Sequence, residues 1–286
     1  MTVLLVTCAA LPDGEDGGGL LLDALDARGI AARWVVWDDD GVPWQDADLV
    51  LVRSPWDYMS RLEEFLAWAR KVEAAAPLVN PAPVLEWNTD KRYLLELAAA
   101  GLPVVPTRTA DTAEELHRAV AALGTAVVKP RVGASGVGVT VVDAPERLAG
   151  APAGPWVVQP LLASIRDAGE TSVFVLVGAA VSALSKLPGP GEIRVQEEYG
   201  GRTVPVPLDA EATALAERAV RCAEDLLDQP LPYARVDLMR MPDGSLVVSE
   251  LEVTEPGLYL DVLPENAPAF AAMVAGLLKT PPRAGT

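Results

Sequence analysis

Short apolar runs alternate with amphipathic stretches over the first 88 residues. The runs have the length of strands, and the stretches between them place apolar residues at the spacing of a helix. This alternation predicts βαβ units, and therefore a small parallel sheet, in a domain that spans residues 1–88. The predicted strands are Val3–Val6, Ala32–Val36 and Leu49–Val52, and the predicted helices are Gly19–Arg28 and Arg61–Ala75.

The pattern changes twice along the rest of the chain, which predicts two further domains. The pattern over residues 89–156 predicts a short helix and then a second βαβ-like piece that contains a glycine-rich loop. Residues 157–286 are richer in strands. The predicted fold class is therefore α/β (α+β) with three domains. In the third domain the predicted strands are Val157–Gln159, Thr171–Val177, Val181–Leu184, Tyr233–Met239 and Leu246–Glu252, and the predicted helices are Ala210–Leu227 and Pro268–Leu278.

The formal charge of −17 narrows the partners that we expect. A negative field of this size repels nucleic acid and anionic membrane, so we expect neither as a partner. No apolar run approaches the ~20 residues of a membrane span, and the N-terminus lacks the basic region of a signal peptide. The cysteines, Cys8 and Cys222, have no metal-ligand spacing. We therefore expect a reduced, cytoplasmic protein.

Two strand-like runs in the C-terminal third are joined by a turn at Asp243-Gly244. If these two residues form the loop, the count along both strands sets Asp237 opposite Glu250. Arg235 and Glu252 are then also opposite each other, on the same face. Like charges directly across a ladder destabilise it, so the facing carboxylates need a compensating cation.

Mg²⁺ suits this carboxylate set, because it prefers carboxylate and phosphate oxygens. The hairpin therefore predicts a metal site at Asp237, Glu250 and Glu252. A polar face in solvent, with an Arg235–Glu252 salt bridge, is the alternative, and the pattern alone leaves both open.

A lysine at the end of a strand precedes a glycine-rich loop. Lys129 ends the run Val127–Lys129, and the loop Gly133–Gly138 follows it. Glycines let backbone amides approach a phosphate closely, and Ser135 adds a hydroxyl donor. The spacing is neither the P-loop pattern nor the dinucleotide fingerprint. A short flexible hairpin is the alternative.

A polar and aromatic segment follows the third predicted strand of the N-terminal sheet. Ligands of open α/β sheets bind outside the carboxyl ends of the strands. Arg53 there could hold a carboxylate through two hydrogen bonds, and Trp56 and Tyr58 could form the walls of a pocket. An Arg53–Asp57 ion pair inside an interdomain core is the alternative.

The order of these segments resembles the ATP-grasp superfamily. It runs from Lys91 through the Lys129 strand and its loop to a strand that ends at Gln159, and then to Glu170 and the carboxylate hairpin. The flanking strings are similar to the RimK/glutathione-synthetase-like branch, and particularly to O-ureido-D-serine cyclo-ligases of D-cycloserine biosynthesis. These strings are RSPWDY (Arg53–Tyr58), WNTDKRYL (Trp87–Leu94), RVQEEYGG (Arg194–Gly201) and ELEVTEP (Glu250–Pro256).

This resemblance implies a fold and a role for each motif. The fold would have an N-terminal Rossmann-like pre-ATP-grasp domain, a small central lid domain and a C-terminal mixed-sheet domain. The superfamily usually has Asn where this chain has Glu252. The implied ATP-binding residues are Lys91, Lys129, Gly133, Ser135, Gly136, Gly138, Gln159, Leu161, Glu170 (on the ribose) and Lys186. The implied catalytic residues are Arg235, Arg194 and Lys129, the metal ligands are Asp237, Glu250 and Glu252, and the substrate residues are Arg53, Trp56, Asp57, Tyr58, Arg194 and Glu255.

The function that the resemblance implies is an ATP- and Mg²⁺-dependent carboxylate–amine ligase. A substrate carboxylate would attack the γ-phosphate, and a nitrogen nucleophile would then attack the acyl phosphate, in the same molecule for a cyclo-ligase. We expect ATP, two Mg²⁺ ions and a small amino-acid-like substrate, and the resemblance allows a homodimer. A phosphotransferase on the same fold and a non-catalytic nucleotide-binding regulatory protein are the alternatives.

Overall fold

Strands near the N-terminus form a parallel sheet. The computed structural model describes residues 1–144, Leu148 and 153–279. Helices cover the sheet on both sides, as parallel strands require, and this confirms the predicted βαβ alternation. The strands are β1 (Thr2–Thr7), β2 (Ala31–Val36), β3 (Leu49–Ser54) and β4 (Leu78–Val79), in the order β2-β1-β3-β4.

The helices around this sheet are mostly those that the pattern predicts. One exception begins directly after Pro81, where the sequence Asn80–Pro83 predicts only an interruption. Proline is tolerated in the first turn of a helix, because the amide that it lacks has no partner there. The helices are α1 (Gly18–Asp26), α2 (Leu62–Glu73) and α3 (Ala82–Thr89), and the next helix, α4 (Tyr93–Ala99), packs instead on the C-terminal sheet.

Neighbouring strands of the central sheet are antiparallel, so the predicted βαβ-like piece is correct in its order of strand, helix and strand but not in the pairing of the two strands. The strands before and after helix α5 (Ala113–Leu123) are not neighbours, because a later strand lies between them. That later strand contains the predicted domain boundary at 156/157, and the division into three domains stays a prediction. The strands are β5 (Arg108–Ala110), β6 (Ala126–Pro130), β7 (Thr140–Val142) and β8 (Trp156–Pro160), in the order β5-β8-β6-β7.

The C-terminal sheet is antiparallel along its strands. The resemblance implied a mixed sheet, with both parallel and antiparallel pairs. Among the described residues, the parallel pairing in this sheet is a single bridge between Val104 and Val248. Its order is β11-β10-β9-β12-β13. The strands are β9 (Glu170–Leu176), β10 (Ala179–Leu187), β11 (Arg202–Val206), β12 (Tyr233–Arg240) and β13 (Leu246–Glu252), and the helices are α6 (Ser164–Asp167), α7 (Ala210–Leu227) and α8 (Asn266–Lys279).

One face of this sheet changes from apolar to charged along its strands. Phe174, Leu184 and Tyr233 pack against α1, α8 and the N-terminal sheet in one core. Two residues further along their strands, the same face carries Lys186 on β10 and Arg235 on β12. The opposite face packs on α4 and α7 in a second core. The charged end of the sheet therefore remains available to a site.

No helix in the described part of the chain is both long and apolar enough to cross a bilayer.

Candidate active site

The charged end of the C-terminal sheet forms one wall of a cavity of about 440 Å³. The glycine-rich loop and the inner faces of β6 and β8 form another wall, and the end of β3 with the chain after β13 closes the cavity. Most of the predicted site residues therefore meet in one place. Those that line the cavity are Trp56, Tyr58, Lys91, Lys129, Gly133, Ser135, Gly136, Gln159, Leu161, Glu170, Lys186, Arg194, Arg235, Asp237, Glu250, Glu252 and Glu255.

The register of the carboxylate hairpin is as predicted. Asp237 of β12 lies opposite Glu250 of β13, and Arg235 lies opposite Glu252. One oxygen atom from each of the three carboxylates lies within 4.8 Å of the others. This spacing suits a divalent cation. Asp237 and Arg235 are buried, so the alternative of a polar face in solvent is wrong.

Two irregularities produce this register and cancel each other. The turn has three residues rather than the predicted two, because the Met241 amide donates to the Ser245 carbonyl at 2.8 Å. β13 then contains an extra residue, Ser249, which has no partner on β12. This residue forms a β-bulge, and its Oγ donates to the Asp237 carbonyl at 3.0 Å. Without the bulge, the longer turn would set Ser249 opposite Asp237.

Cations of the protein already compensate the buried carboxylate of Asp237. Both of its oxygens accept hydrogen bonds from Arg235, at 3.0 Å each, and Lys186 Nζ lies 3.4 Å away. Ser172 Oγ adds a further donor. Burial alone would raise the pKa of Asp237, but Arg235 and Lys186 together hold it below its ordinary range. The compensating cation that the hairpin requires is therefore present within the chain.

Two lysines converge on the second carboxylate of the hairpin. Lys129 Nζ lies 3.4 Å and Lys91 Nζ 3.7 Å from Glu250 Oε1. Burial raises the pKa of Glu250, and these two lysines offset that effect, so the pKa lies below its ordinary value. The two lysines with the most specific predicted roles are thus adjacent, although 38 positions separate them in the sequence.

Glu252, where the resemblance to the superfamily implies an asparagine, pairs with Arg235 Nη2. The predicted Arg235–Glu252 ion pair is therefore present, although the solvent-exposed face on which it was predicted is not. Burial raises the pKa of Glu252 to about 8, against the opposing effect of Arg235. A further cation at the cluster would therefore stabilise the Glu252 carboxylate.

The glycine-rich loop is held close to the lysines and to the loop before β11. Lys91 Nζ donates to the Gly133 carbonyl at 2.7 Å. Gly136 has a φ of +67°, which strains any residue with a side chain, and a β-carbon there would lie 2.7 Å from Gln196 Oε1. Gly138 does not line the cavity, and a direct role for it in the site is not supported.

The segment predicted to hold adenine differs in detail from the expectation. Gln159 is buried and donates to Thr107 Oγ1 at 2.9 Å. The Leu161 amide donates to the Thr125 carbonyl at 3.1 Å, so an adenine contact here needs another backbone group. Glu170, predicted to hold ribose, contacts Lys186 Nζ at 3.2 Å. Its ribose role stays a prediction.

Two of the predicted substrate residues lie outside the cavity. Arg53 is fully buried, donates to Glu15 Oε1 at 2.8 Å and to the Pro256 carbonyl at 2.6 Å, and cannot reach a substrate. Asp57 accepts a hydrogen bond from Trp37 Nε1 at 2.9 Å. The predicted substrate clamp is therefore wrong, and so is the alternative Arg53–Asp57 pair.

The other predicted substrate residues do line the cavity. Tyr58 donates its hydroxyl to Glu255 Oε1 at 2.7 Å, and Trp56 Nε1 donates to the Glu255 carbonyl at 3.2 Å. Arg194 stacks on Tyr199, with its Cζ 3.6 Å from the ring centroid, and this guanidinium also donates to the neighbouring Glu192.

Several residues of the cavity were not predicted, and two of them, Tyr259 and Gln196, contact predicted site residues. Tyr259 has a φ of +51°, and its ring lies 5.5 Å from Lys186 Nζ and 5.6 Å from Arg235 Cζ. Gln196 contacts the glycine-rich loop, as described above. Gln196 lies within the string RVQEEYGG, which could have identified it, whereas no periodic signal marks Tyr259.

Known proteins resemble this chain over nearly its whole length. Residues 3–80 match the family described as D-cycloserine synthetase DcsG, N-terminal domain. The cycloserine biosynthesis protein DcsG of Streptomyces lavendulae is 34% identical over 280 residues, which cover 91% of this chain and 93% of that protein. The chain belongs to the DcsG family.

Solved structures agree with this membership in the DcsG family. The crystal structure of D-cycloserine synthetase DcsG matches 97% of this chain and 100% of its own, with a TM-score of 0.87 and 31% identity. The ATP-grasp ligase PsnB, solved with a minimal precursor, Mg and ADP, covers 97% of this chain and 98% of its own. Its TM-score is 0.64 and its sequence identity is 18%, so PsnB shares the fold of this chain. The predicted ATP-grasp fold is confirmed, and the chain is an enzyme of the ATP-grasp ligase type.

Proposed function

We propose that this DcsG-family ligase uses ATP and Mg²⁺ to activate the carboxylate of a small amino-acid-derived substrate as an acyl phosphate. The observation that carries the proposal is the meeting of Lys91, Lys129, Lys186 and Arg235 with the carboxylate cluster in one cavity. We call this part of the cavity the phosphate end. Its cations would bring two anions together, the γ-phosphate and the attacking carboxylate.

The residues present fit a magnesium site. Asp237, Glu250 and Glu252 offer oxygen ligands, and Mg²⁺ completes such a set with phosphate oxygens and water. When bound, the metal supplies charge neutralisation for the transferring phosphoryl group. We propose two ions, because three carboxylates exceed the one or two that a single Mg²⁺ usually takes from a protein.

Each residue of the phosphate end has a separate task in this proposal. Lys91 and Lys129 would hold phosphate oxygens, and the amides of the loop Gly133–Gly138 would close over them. Arg235 would stabilise the charge that develops during phosphoryl transfer, while Asp237 keeps its guanidinium in place. Lys186 is a further candidate for the γ-phosphate.

The second step needs a nitrogen nucleophile and no nucleophile from the protein. The carboxylate oxygen attacks the γ-phosphorus, and ADP leaves. The nitrogen then attacks the acyl carbon and loses a proton, and inorganic phosphate leaves. Because the relatives include a D-cycloserine synthetase, we propose that the nitrogen belongs to the same molecule and that the product is a ring, as it would be with O-ureido-D-serine.

Hydroxylamine trapping tests the proposal. The enzyme is incubated with MgATP and O-ureido-D-serine, and both ADP and the hydroxamate are measured. ADP release with hydroxamate formation is the expected result, and omission of Mg²⁺ should abolish both. A phosphorylated substrate that gives no hydroxamate would favour the phosphotransferase alternative. ATP binding without ADP release for any amino acid tried would favour the regulatory alternative.

A further inference from the structure

The buried carboxylates that line the cavity, within the described part of the chain, are Glu15, Asp237 and Glu255. Asp237 pairs with Arg235, and Glu15 pairs with Arg53. Glu255 is 8% exposed and forms no ion pair with any described residue. A buried carboxylate without a cation in contact is costly, and Glu255 differs from the other two in lacking an ion-pair partner.

Two aromatic residues hold Glu255 in position. Tyr58 donates to Glu255 Oε1, and Trp56 donates to the Glu255 carbonyl, so the side chain and the main chain are each fixed. Glu255 Oε2 accepts no hydrogen bond from the described residues. The Trp56 ring also packs on the turn that follows Glu255. A β-carbon at Gly257, in that turn, would lie 3.4 Å from the Trp56 ring. The result is an oriented carboxylate with an open oxygen, beside an aromatic wall.

The charges around Glu255 favour a cationic ligand. Burial raises the pKa of Glu255, and the hydrogen bond from Tyr58 and the cations Lys91 and Arg235 offset only part of this effect. Lys91 and Arg235 each contact a hairpin carboxylate instead. A cation with hydrogen-bond donors would satisfy the open oxygen and favour the ionised carboxylate.

Two more carboxylates line the cavity, and their segments adjoin the turn after Glu255, since a β-carbon at Gly257 would lie 3.7 Å from Glu15 Oε2. Asp16 and Asp261 belong to adjoining segments, since a β-carbon at Gly17 would lie 3.0 Å from the Asp261 amide nitrogen. Arg53 is the arginine nearest to Trp56 in the sequence, but it is fully buried and does not line the cavity. We call this region, formed by Trp56, Tyr58, Glu255, Asp16 and Asp261, the amine end.

We propose that the amine end binds the α-ammonium group of the substrate, with Glu255 as its direct partner. The inference rests on the proposed function, because it requires that the same molecule presents its carboxylate to the phosphate end. An α-amino acid carries both groups on one carbon, so one small molecule can satisfy both ends. Glu255 would then select α-amino acids against acids that lack the amine.

A pair of ligands tests the inference. One is O-ureido-D-serine, and the other is the analogue with hydrogen in place of the α-amino group. Affinities are measured by calorimetry with Mg²⁺ and a non-hydrolysable ATP analogue, for the wild type and for Glu255→Gln. Glutamine keeps an acceptor for the Tyr58 hydroxyl but loses the charge. Glu265→Gln, an exposed position outside the cavity, is the matched control.

We expect the wild type and Glu265→Gln to prefer the amine ligand by about 10- to 100-fold, as for a hydrogen bond to a charged group. Glu255→Gln should lose this preference, while its affinities for the analogue and for MgATP stay unchanged. Equal affinity of the wild type for both ligands would overturn the inference alone, since ADP release with O-ureido-D-serine would still support the proposed function. A preference that survives in Glu255→Gln would also overturn it. Absence of binding by either ligand would overturn the inference and the proposed substrate together.

Discussion

Two buried arginines of this chain have similar surroundings and different uses. Arg53 and Arg235 each lie on a strand, and each donates to a buried carboxylate, Glu15 for the first and Asp237 for the second. Arg235 lines the cavity, whereas Arg53 has an exposed fraction of 0%. Residue type and partner are therefore not sufficient to indicate a functional arginine.

The difference comes from the sheets that carry them. Arg53 belongs to β3 of the parallel sheet, and both faces of such a sheet are covered. Its guanidinium lies 4.9 Å from the Phe270 ring centroid and leaves Nε and Nη1 without a hydrogen-bond partner in the described residues. Arg235 belongs to an antiparallel sheet whose charged end is uncovered. Arg53 joins the N-terminal sheet to the chain after β13, whereas Arg235 faces the cavity, where we propose that it stabilises the transferring phosphoryl group.

The largest effect should follow from the partner of Arg235. Asp237→Asn should lower turnover by about three orders of magnitude or more, because both the metal site and the position of Arg235 depend on this carboxylate. It should also lower the melting temperature of the metal-free protein, since Arg235 and Lys186 lose their compensation. ADP release and thermal melts check the two effects. Asp243→Asn, in the exposed turn of the same hairpin, is the control, and full turnover in Asp237→Asn would contradict the assignment.

The partner of Arg53 should affect stability rather than activity. Glu15→Gln leaves a buried guanidinium without its carboxylate, which costs about 3–5 kcal/mol of unfolding free energy. The affinity for MgATP should stay unchanged. Urea unfolding and nucleotide titration measure the two quantities. The double variant Glu15→Gln/Arg53→Met should regain part of the loss. If Glu15→Gln instead weakened nucleotide binding at unchanged stability, the contrast between the two arginines would fail.

A lysine of the phosphate end should have an intermediate effect. Lys129→Ala removes a charge-assisted contact and should weaken ATP binding by about 1.5–3 kcal/mol, with little change in the melting temperature. Lys71→Ala, at an exposed position of α2, is the control. Calorimetric titration with Mg²⁺ present gives both affinities, and equal values would mean that the phosphate end is misplaced.

The smallest effect should come from the residue that departs from the superfamily pattern. Glu252→Asn keeps an oxygen near Arg235 but removes a charge, and the side chain is 28% exposed. We expect turnover within about tenfold of the wild type and a higher Mg²⁺ concentration at half activity. A loss as large as that of Asp237→Asn would show that Glu252 is as important to the cluster as Asp237.

The hairpin illustrates how far sequence reasoning extends. The facing carboxylates were predicted correctly, yet the prediction assumed a two-residue loop and a regular ladder, and neither is present. A bulge changes neither composition nor alternation enough to be recognised, because one extra residue such as Ser249 can fall anywhere in the strand. The outcome was correct because two shifts of one residue had opposite directions.

Arrangements that depend on distant parts of the chain were harder to predict. Local pattern identified most strands of the central sheet, but the insertion of β8 between β5 and β6 is a matter of long-range pairing. Likewise, nothing local distinguishes Arg53 from Arg235, since what covers each residue comes from elsewhere in the sequence. The ordered motifs located the site because they are local in sequence and converge in the fold.

The bulge at Ser249 gives this hairpin a tolerance to one change in length. Deletion of Ser249 would leave a regular ladder in which Val248 still faces Leu238 and Glu250 still faces Asp237, so the carboxylates would keep their places in the cavity. Deletion of Leu251, by contrast, would bring Glu252 opposite Val236, which packs in the core on α7. In related sequences, a one-residue gap at the position of Ser249 is therefore compatible with an intact carboxylate cluster, whereas a gap at the position of Leu251 would indicate an alignment error or a member without activity.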